Sequence, residues 1–270
     1  MTVFKLDFKR GFGGMIGWSI VMSIVIVVLM FLHNMSSGIF NPETFADRVS
    51  AMPGIVSGIL GLHGVTDLSH PYYFAAYLFQ FVLLFSGIYA CTMGARALTL
   101  EESRGTIEFL YGLPITRGSI LAQKTVASFL RYFIYSLILF AVTCAAIWFL
   151  NRDMSISGVV IDMIRVFICQ LLVGFVYISF GLLISALFRS SAESISVSLA
   201  VVLITYIVGM MGNIMDHLSF LCLLSPVHAV LPLDTLLSGF AIIGVALCAL
   251  AIIVALLLAS IRYNKKDFLV

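Results

Sequence analysis

The chain has 270 residues, of which 61% are hydrophobic and 10% charged, and its mean hydropathy is +1.13. A soluble domain of this length has too little interior to hide so much apolar surface, which leaves a polytopic, all-α membrane protein as the class. The net charge of +2 is too small to suggest a nucleic-acid partner, and the five cysteines form no C-x-x-C pair and read as small buried hydrophobes.

Residues 1–11 set Phe4, Leu6 and Phe8 among Lys5, Asp7 and Lys9, a basic amphipathic lead-in expected to lie on the membrane surface. The first predicted span covers about 12–33, close to the roughly 20 residues that cross a bilayer. It is followed by Phe-Leu-His-Asn rather than a small-residue cleavage site, so it reads as a retained anchor. Gly13 and Gly17 form a G-x-x-x-G near its start, a candidate for close helix packing. Residues 34–71 hold Pro42, Pro53 and Pro71, and their apolar middle, 52–62, is too short and too Gly-broken to span; it reads as an interfacial helix on the outer face. The second span covers about 72–95, with Gln80 expected either to make an interhelical hydrogen bond or to line a pathway.

A charged stretch, 101–117, separates this span from the third, about 120–150, whose first turns are expected to protrude so that Lys124 and Arg131 snorkel to the interface. In the fourth span, about 159–187, Asp162 and Arg165 are three residues apart and share a face, a candidate structural ion pair. The fifth covers about 194–215. Ser190, Ser194 and Ser198 recur every four residues there, a small-residue stripe suited to helix packing and a candidate subunit interface. Residues 216–236 are external; their apolar, Pro-terminated part suits an interfacial or re-entrant helix, and His217 and His228 lack metal-ligand spacing. The sixth span, about 237–261, ends in Arg262, Lys265 and Lys266.

Six spans put both termini on one side. Lys5, Lys9, Arg10, Arg96, Arg104, Arg117, Lys124, Arg131, Arg189, Arg262, Lys265 and Lys266 fall on that side, against Arg48, Arg152 and Arg165 on the other. The positive-inside rule therefore predicts cytoplasmic termini and a cytoplasmic 101–117 stretch. Catalytic motifs are missing: there is no G-x-x-x-x-G-K-[ST] to cradle ATP phosphates, no H-E-x-x-H and no G-x-S-x-G. No Asp or Glu sits mid-span, which disfavours an intramembrane enzyme and weakens proton- or sodium-driven transport.

What remains is one cytoplasmic handle. In Glu101–Arg117, Glu102, Thr106 and Glu108 offer a polar face and Ile107, Phe109, Leu110 and Leu113 an apolar one. Glu101 and Glu102 sit favourably at a helix start, and Gly112 and Pro114 stop the helix, predicting a short amphipathic helix over about 101–113. On spacing alone it is either a docking helix for a partner or a plain surface helix.

The stretch Glu-Glu-Ser-Arg-Gly-Thr-Ile-Glu-Phe-Leu-Tyr-Gly-Leu-Pro-Ile-Thr-Arg resembles the coupling segment of ABC-2 type transporter permeases. Ser225-Pro226 before the last span and Lys265-Lys266-Asp267 after it also fit that family, and the resemblance covers nearly the whole chain. The resemblance implies a single permease domain, 1–270, with a type V exporter-like fold in a prokaryotic plasma membrane. It implies a second permease subunit, identical or related, and two copies of a separate ATP-binding subunit that carries the ATP and magnesium. Glu101, Glu102, Arg104, Thr106, Glu108, Leu110, Leu113, Pro114 and Arg117 would be the contact and anchoring residues for that subunit. The cargo class it implies is an amphipathic small molecule, antibiotic or peptide. The competing expectation is an assembly or regulatory protein with the same fold that moves nothing.

Overall fold

Continuous apolar sequence with few helix breakers folds here into long helices, and the described prolines fall where helices begin. The computed structural model describes residues 2–35, 42–62, 68–103, 105, 116–152 and 155–266. The helices are α1 (Thr2–Met35), α2 (Pro42–Ser50), α3 (Gly54–Ile59), α4 (Pro71–Ser103), α5 (Arg117–Leu150), α6 (Ile156–Leu187) and α7 (Ser191–Ile214). A 3-10 helix (Asp216–Leu224), α8 (Pro226–Ala229), α9 (Pro232–Ser238) and α10 (Ile242–Lys265) complete the chain, and no strand occurs among the described residues. Pro71, Pro226 and Pro232 open their helices, where a missing N–H costs nothing. Thr116, Ser155 and Ser225 cap α5, α6 and α8 by accepting from Ser119, Gly158 and His228 N–H, each cap worth about 1 kcal/mol.

Six helices, α1, α4, α5, α6, α7 and α10, are long and apolar enough to cross a membrane. Four of them run 32 to 34 residues, about 50 Å at helical rise, against a hydrocarbon core of about 30 Å. They are therefore longer than the apolar layer is thick.

The centre of the bundle is the α4–α6 pair, buried over 72% and 61% of their most apolar windows against 22–33% for the other four. Glycine sets the approach. A β-carbon at Gly94 would strike the Ile178 carbonyl, and one at Gly181 would strike the Cys91 carbonyl, so the two backbones touch where both side chains are absent. Hydroxyls tie the same interior together. Tyr135 and Ser86 share a hydrogen bond of 2.8 Å, Tyr177 and Thr205 one of 3.0 Å, and Tyr132 donates to the Gln170 carbonyl at 3.2 Å.

Several expectations change in the folded chain. The lead-in 1–11 is not a separate surface segment: from Thr2 it is the start of α1, with Phe4, Phe8 and Phe12 one turn apart and ring centroids 5.9 and 6.3 Å from one to the next. Burial of Val3 and Asp7 against the rest of the bundle fixes it there. Gly13 and Gly17 pack against nothing, since a β-carbon at either would meet no atom within 4 Å; their face of α1 is open. Lys124 and Arg131 do not snorkel. Both are at most 5% exposed, because carboxylates of neighbouring helices reach them.

Asp162 and Arg165 make no ion pair. The Arg165 guanidinium turns instead to the Leu236 carbonyl at 3.2 Å, in the last turn of α9, where free carbonyls and the helix dipole attract a cation. Ser194 and Ser198 are fully buried in a face of α7 that packs on α4, with Val202 of the same face beside Gly87. That stripe is an internal contact and so not a free subunit surface, while Ser190 is the N-cap residue of α7.

At the end away from the termini, α3 sits over α4 and α7. Tyr77 and Gln80 both donate to the Leu60 carbonyl, at 2.9 and 3.0 Å, so Gln80 bonds to the cap of the short helix α3 and not to another span. The helical pieces His217–Leu224 and Pro226–Ser238 are bent 103° to each other. His228 there shares a 3.0 Å hydrogen bond with Ser225.

Candidate partner-docking site

The 101–117 stretch joins α4 to α5, and the structure describes its two ends. Arg104, Thr106, Glu108, Leu110, Leu113 and Pro114 lie outside the described residues. The helix expected to start at Glu101 does not start there. Glu101, Glu102 and Ser103 are the last turn of α4, and Gly105 follows with φ of +65°, the left-handed conformation that ends helices. The two carboxylates thus sit at a helix C-terminus, where the dipole repels them, instead of at a favourable N-terminus. Cations from three other places, Arg10, Lys124 and Lys266, offset that.

Glu101 is gripped from two sides. Arg10 of α1 lies 3.1 Å from Oε1, and Lys124 of α5 donates to Oε2. The Lys124 ammonium also donates to the Ala97 carbonyl, one turn earlier on α4. Glu101 and Lys124 side chains are 9% and 1% exposed, so this is a buried pair with additional hydrogen bonds, the arrangement that makes such pairs tolerable. A second buried pair lies beside it: Arg131 of α5 donates to the Asp7 carboxylate at 2.8 Å and to the Asp7 carbonyl at 3.1 Å. Gly11 makes room for this guanidinium, since a β-carbon at that position would occupy the same space.

Glu102 is held by Lys266, just past α10, at 2.8 Å; the same ammonium donates to the Phe188 carbonyl at the end of α6, at 2.6 Å. Arg117, the first residue of α5, donates to the Lys266 carbonyl at 2.8 Å and the Asn264 carbonyl at 3.4 Å. The Ser103 hydroxyl accepts from the Ser191 N–H at the start of α7, at 2.8 Å.

These contacts close a ring. Every helix of spanning length, α1, α4, α5, α6, α7 and α10, is joined at its terminus-side end to the residues flanking 104–115. Of the site residues expected from the sequence, the ring brings together Glu101, Glu102 and Arg117. The carboxylates of Glu101 and Glu102 face inward to partners within the chain and are not splayed outward. Arg10, Ser103, Lys124, Lys266 and the Asp7–Arg131 pair belong to the same constellation and were not anticipated. The available signal was depth: a charge in or beside an apolar run needs a partner, and Lys124, Arg131 and Asp7 all qualify.

A search of curated proteins returns no match. A family model described as ABC-2 family transporter protein matches residues 1–268, almost the whole chain, and its members are membrane components of transporters that generally pair with an ATP-binding subunit. With its six spanning-length helices and this family match, the chain belongs to the ABC-2 family of transporter proteins.

Proposed function

We propose that this permease exports an amphipathic small molecule, antibiotic or peptide across a prokaryotic plasma membrane, using ATP hydrolysed by a separate subunit. In this reading the termini and the ring are cytoplasmic, two permease subunits form the path, and two ATP-binding subunits dock against residues 101–117. ATP and magnesium stay in those subunits. The observation that carries the reading is the ring. A push on the 104–115 segment enters α4 and α5 directly, and through Glu101, Glu102 and Ser103 reaches α1, α10, α6 and α7. A plain surface helix has no use for ties to all six helices. The role of Glu101 shifts accordingly from contact residue to strut, and Arg104, Thr106 and Glu108 become the residues that face the partner.

The test is purification of the tagged chain from its native membrane in mild detergent, with mass spectrometry of what accompanies it. A P-loop ATPase in wild type, reduced by Arg104→Glu/Glu108→Lys, supports the reading; its absence across several detergents counts against it. Cargo-stimulated ATPase activity in the reconstituted complex then separates transport from a non-transporting assembly role.

A further inference from the structure

Beside the ring, between α1 and α4, lies a cavity of about 310 Å³ whose lining includes Arg10, Gly14, Trp18, Tyr89, Met93 and Arg96. Its charge is unbalanced. Arg10, Arg96 and Arg131 line it against only Asp7, an excess of two positive charges. Asp7 is taken by Arg131, and Glu101 is shared by Arg10 and Lys124. Arg96 is exposed and has no ion pair or hydrogen bond among the described residues.

The cavity is graded along α1. Trp18, eight residues and about 12 Å beyond Arg10, packs against Tyr89 with the ring centroids 5.6 Å apart. Past it the same face of α1 exposes the aliphatic side chains Val21, Val25 and Val28. Cations at one end, an aromatic pair at the middle and bare aliphatic surface beyond match an anionic headgroup, a glycerol region and acyl chains in turn. A free inorganic anion would leave the aromatic and aliphatic part unused. A second copy of this chain would bring the same arginines against these.

We propose that this cavity is a binding site for one anionic glycerophospholipid of the leaflet on the terminus side, its phosphate held by Arg96 and Arg10. The residues proposed to hold the phosphate are not those expected to contact the partner, and the proposal does not depend on which partner docks at 104–115. The bound headgroup lies against Arg10, the residue that also grips Glu101, so occupancy bears on the ring.

The chain has two tryptophans, so Trp148→Phe leaves Trp18 as the only one. The full-length variant is reconstituted in phosphatidylcholine vesicles containing rising fractions of brominated phosphatidylglycerol or, separately, brominated phosphatidylcholine, and Trp18 quenching is read. The expected result is saturating quenching with a preference of about five-fold for the anionic lipid, the contribution of roughly one well-placed cation. Arg96→Gln should reduce the preference to below about two-fold, and Arg96→Lys should retain most of it. Equal quenching by both lipids, or an unchanged preference in Arg96→Gln, overturns the site. Little quenching by either lipid also overturns it, because the cavity is then covered by protein.

Discussion

Lys124→Met removes the cation of the most deeply buried ion pair in the ring. The substitution keeps length and apolar bulk, so packing along α5 changes little. What changes is Glu101, whose 9% exposed side chain keeps Arg10 on its other oxygen, while the Ala97 carbonyl loses the ammonium that also donates to it. Breaking a buried pair from one side costs about 3–5 kcal/mol, and the remaining Arg10 contact places this case near the lower end, about 3 kcal/mol. Glu101→Gln alone should cost about 2–3 kcal/mol by stranding the ammonium. The double variant should recover part of the loss, because neither charge is then left alone, giving a coupling energy of at least about 1.5 kcal/mol. Unfolding of the purified chain by SDS titration in mixed micelles, followed by circular dichroism, measures all four corners. A loss below about 0.5 kcal/mol for Lys124→Met, or simple additivity in the double variant, would refute the claim that this pair holds α4 to α5.

Three further outcomes follow from the same geometry. Gly11→Ala should cost about 2–4 kcal/mol in the same titration, because the new methyl displaces the Arg131 guanidinium from Asp7; a neutral result would contradict the placement of that arginine. Gly94→Ala should destabilise by about 1–3 kcal/mol by forcing α4 from α6, whereas Gly13→Ala and Gly17→Ala should stay within about 0.5 kcal/mol on their open face; the reverse order would mean that the helix contacts are misassigned. Lys266→Ala should open the ring locally. Amide exchange near residues 100–103 and 185–189 should accelerate about ten-fold while residues 156–160 are unaffected, and uniform acceleration would argue against a local tie.

The membrane class, the spans and the family were legible because they rest on bulk properties: apolar runs of bilayer length, the skew of Lys and Arg, and one charged stretch. What hydropathy does not mark is where a helix ends once it leaves the lipid. Glu101 to Ser103 read as the start of a new helix because acidic residues favour N-termini. They finish α4 because Arg10, Lys124 and Lys266, which come from 91, 23 and 164 positions away in sequence, neutralise them. Only the fold supplies those partners.

The glycines teach the same point. Gly13 and Gly17 have the spacing associated with close packing, yet spacing says nothing about which face a neighbour covers, and theirs is open. The working contact is between Gly94 and Gly181, single glycines on different helices, which no local motif connects. Asp162 and Arg165 were paired on spacing, but a helix C-terminus brought to Arg165 by the chain's last third offered it carbonyl oxygen. Ser194 and Ser198 lie against α4, a neighbour that becomes visible only in three dimensions.

The central claim is that an ATP-binding subunit engages the 104–115 segment framed by the ring. A photo-activated amino acid at Glu108, with a control at Phe240 on the opposite end of the bundle, tests it most directly in native membranes. The account predicts a covalent adduct with a P-loop ATPase at position 108 and none at 240. No ATPase adduct at 108 under conditions where the chain is abundant and folded, or adducts of equal yield at both positions, would contradict it.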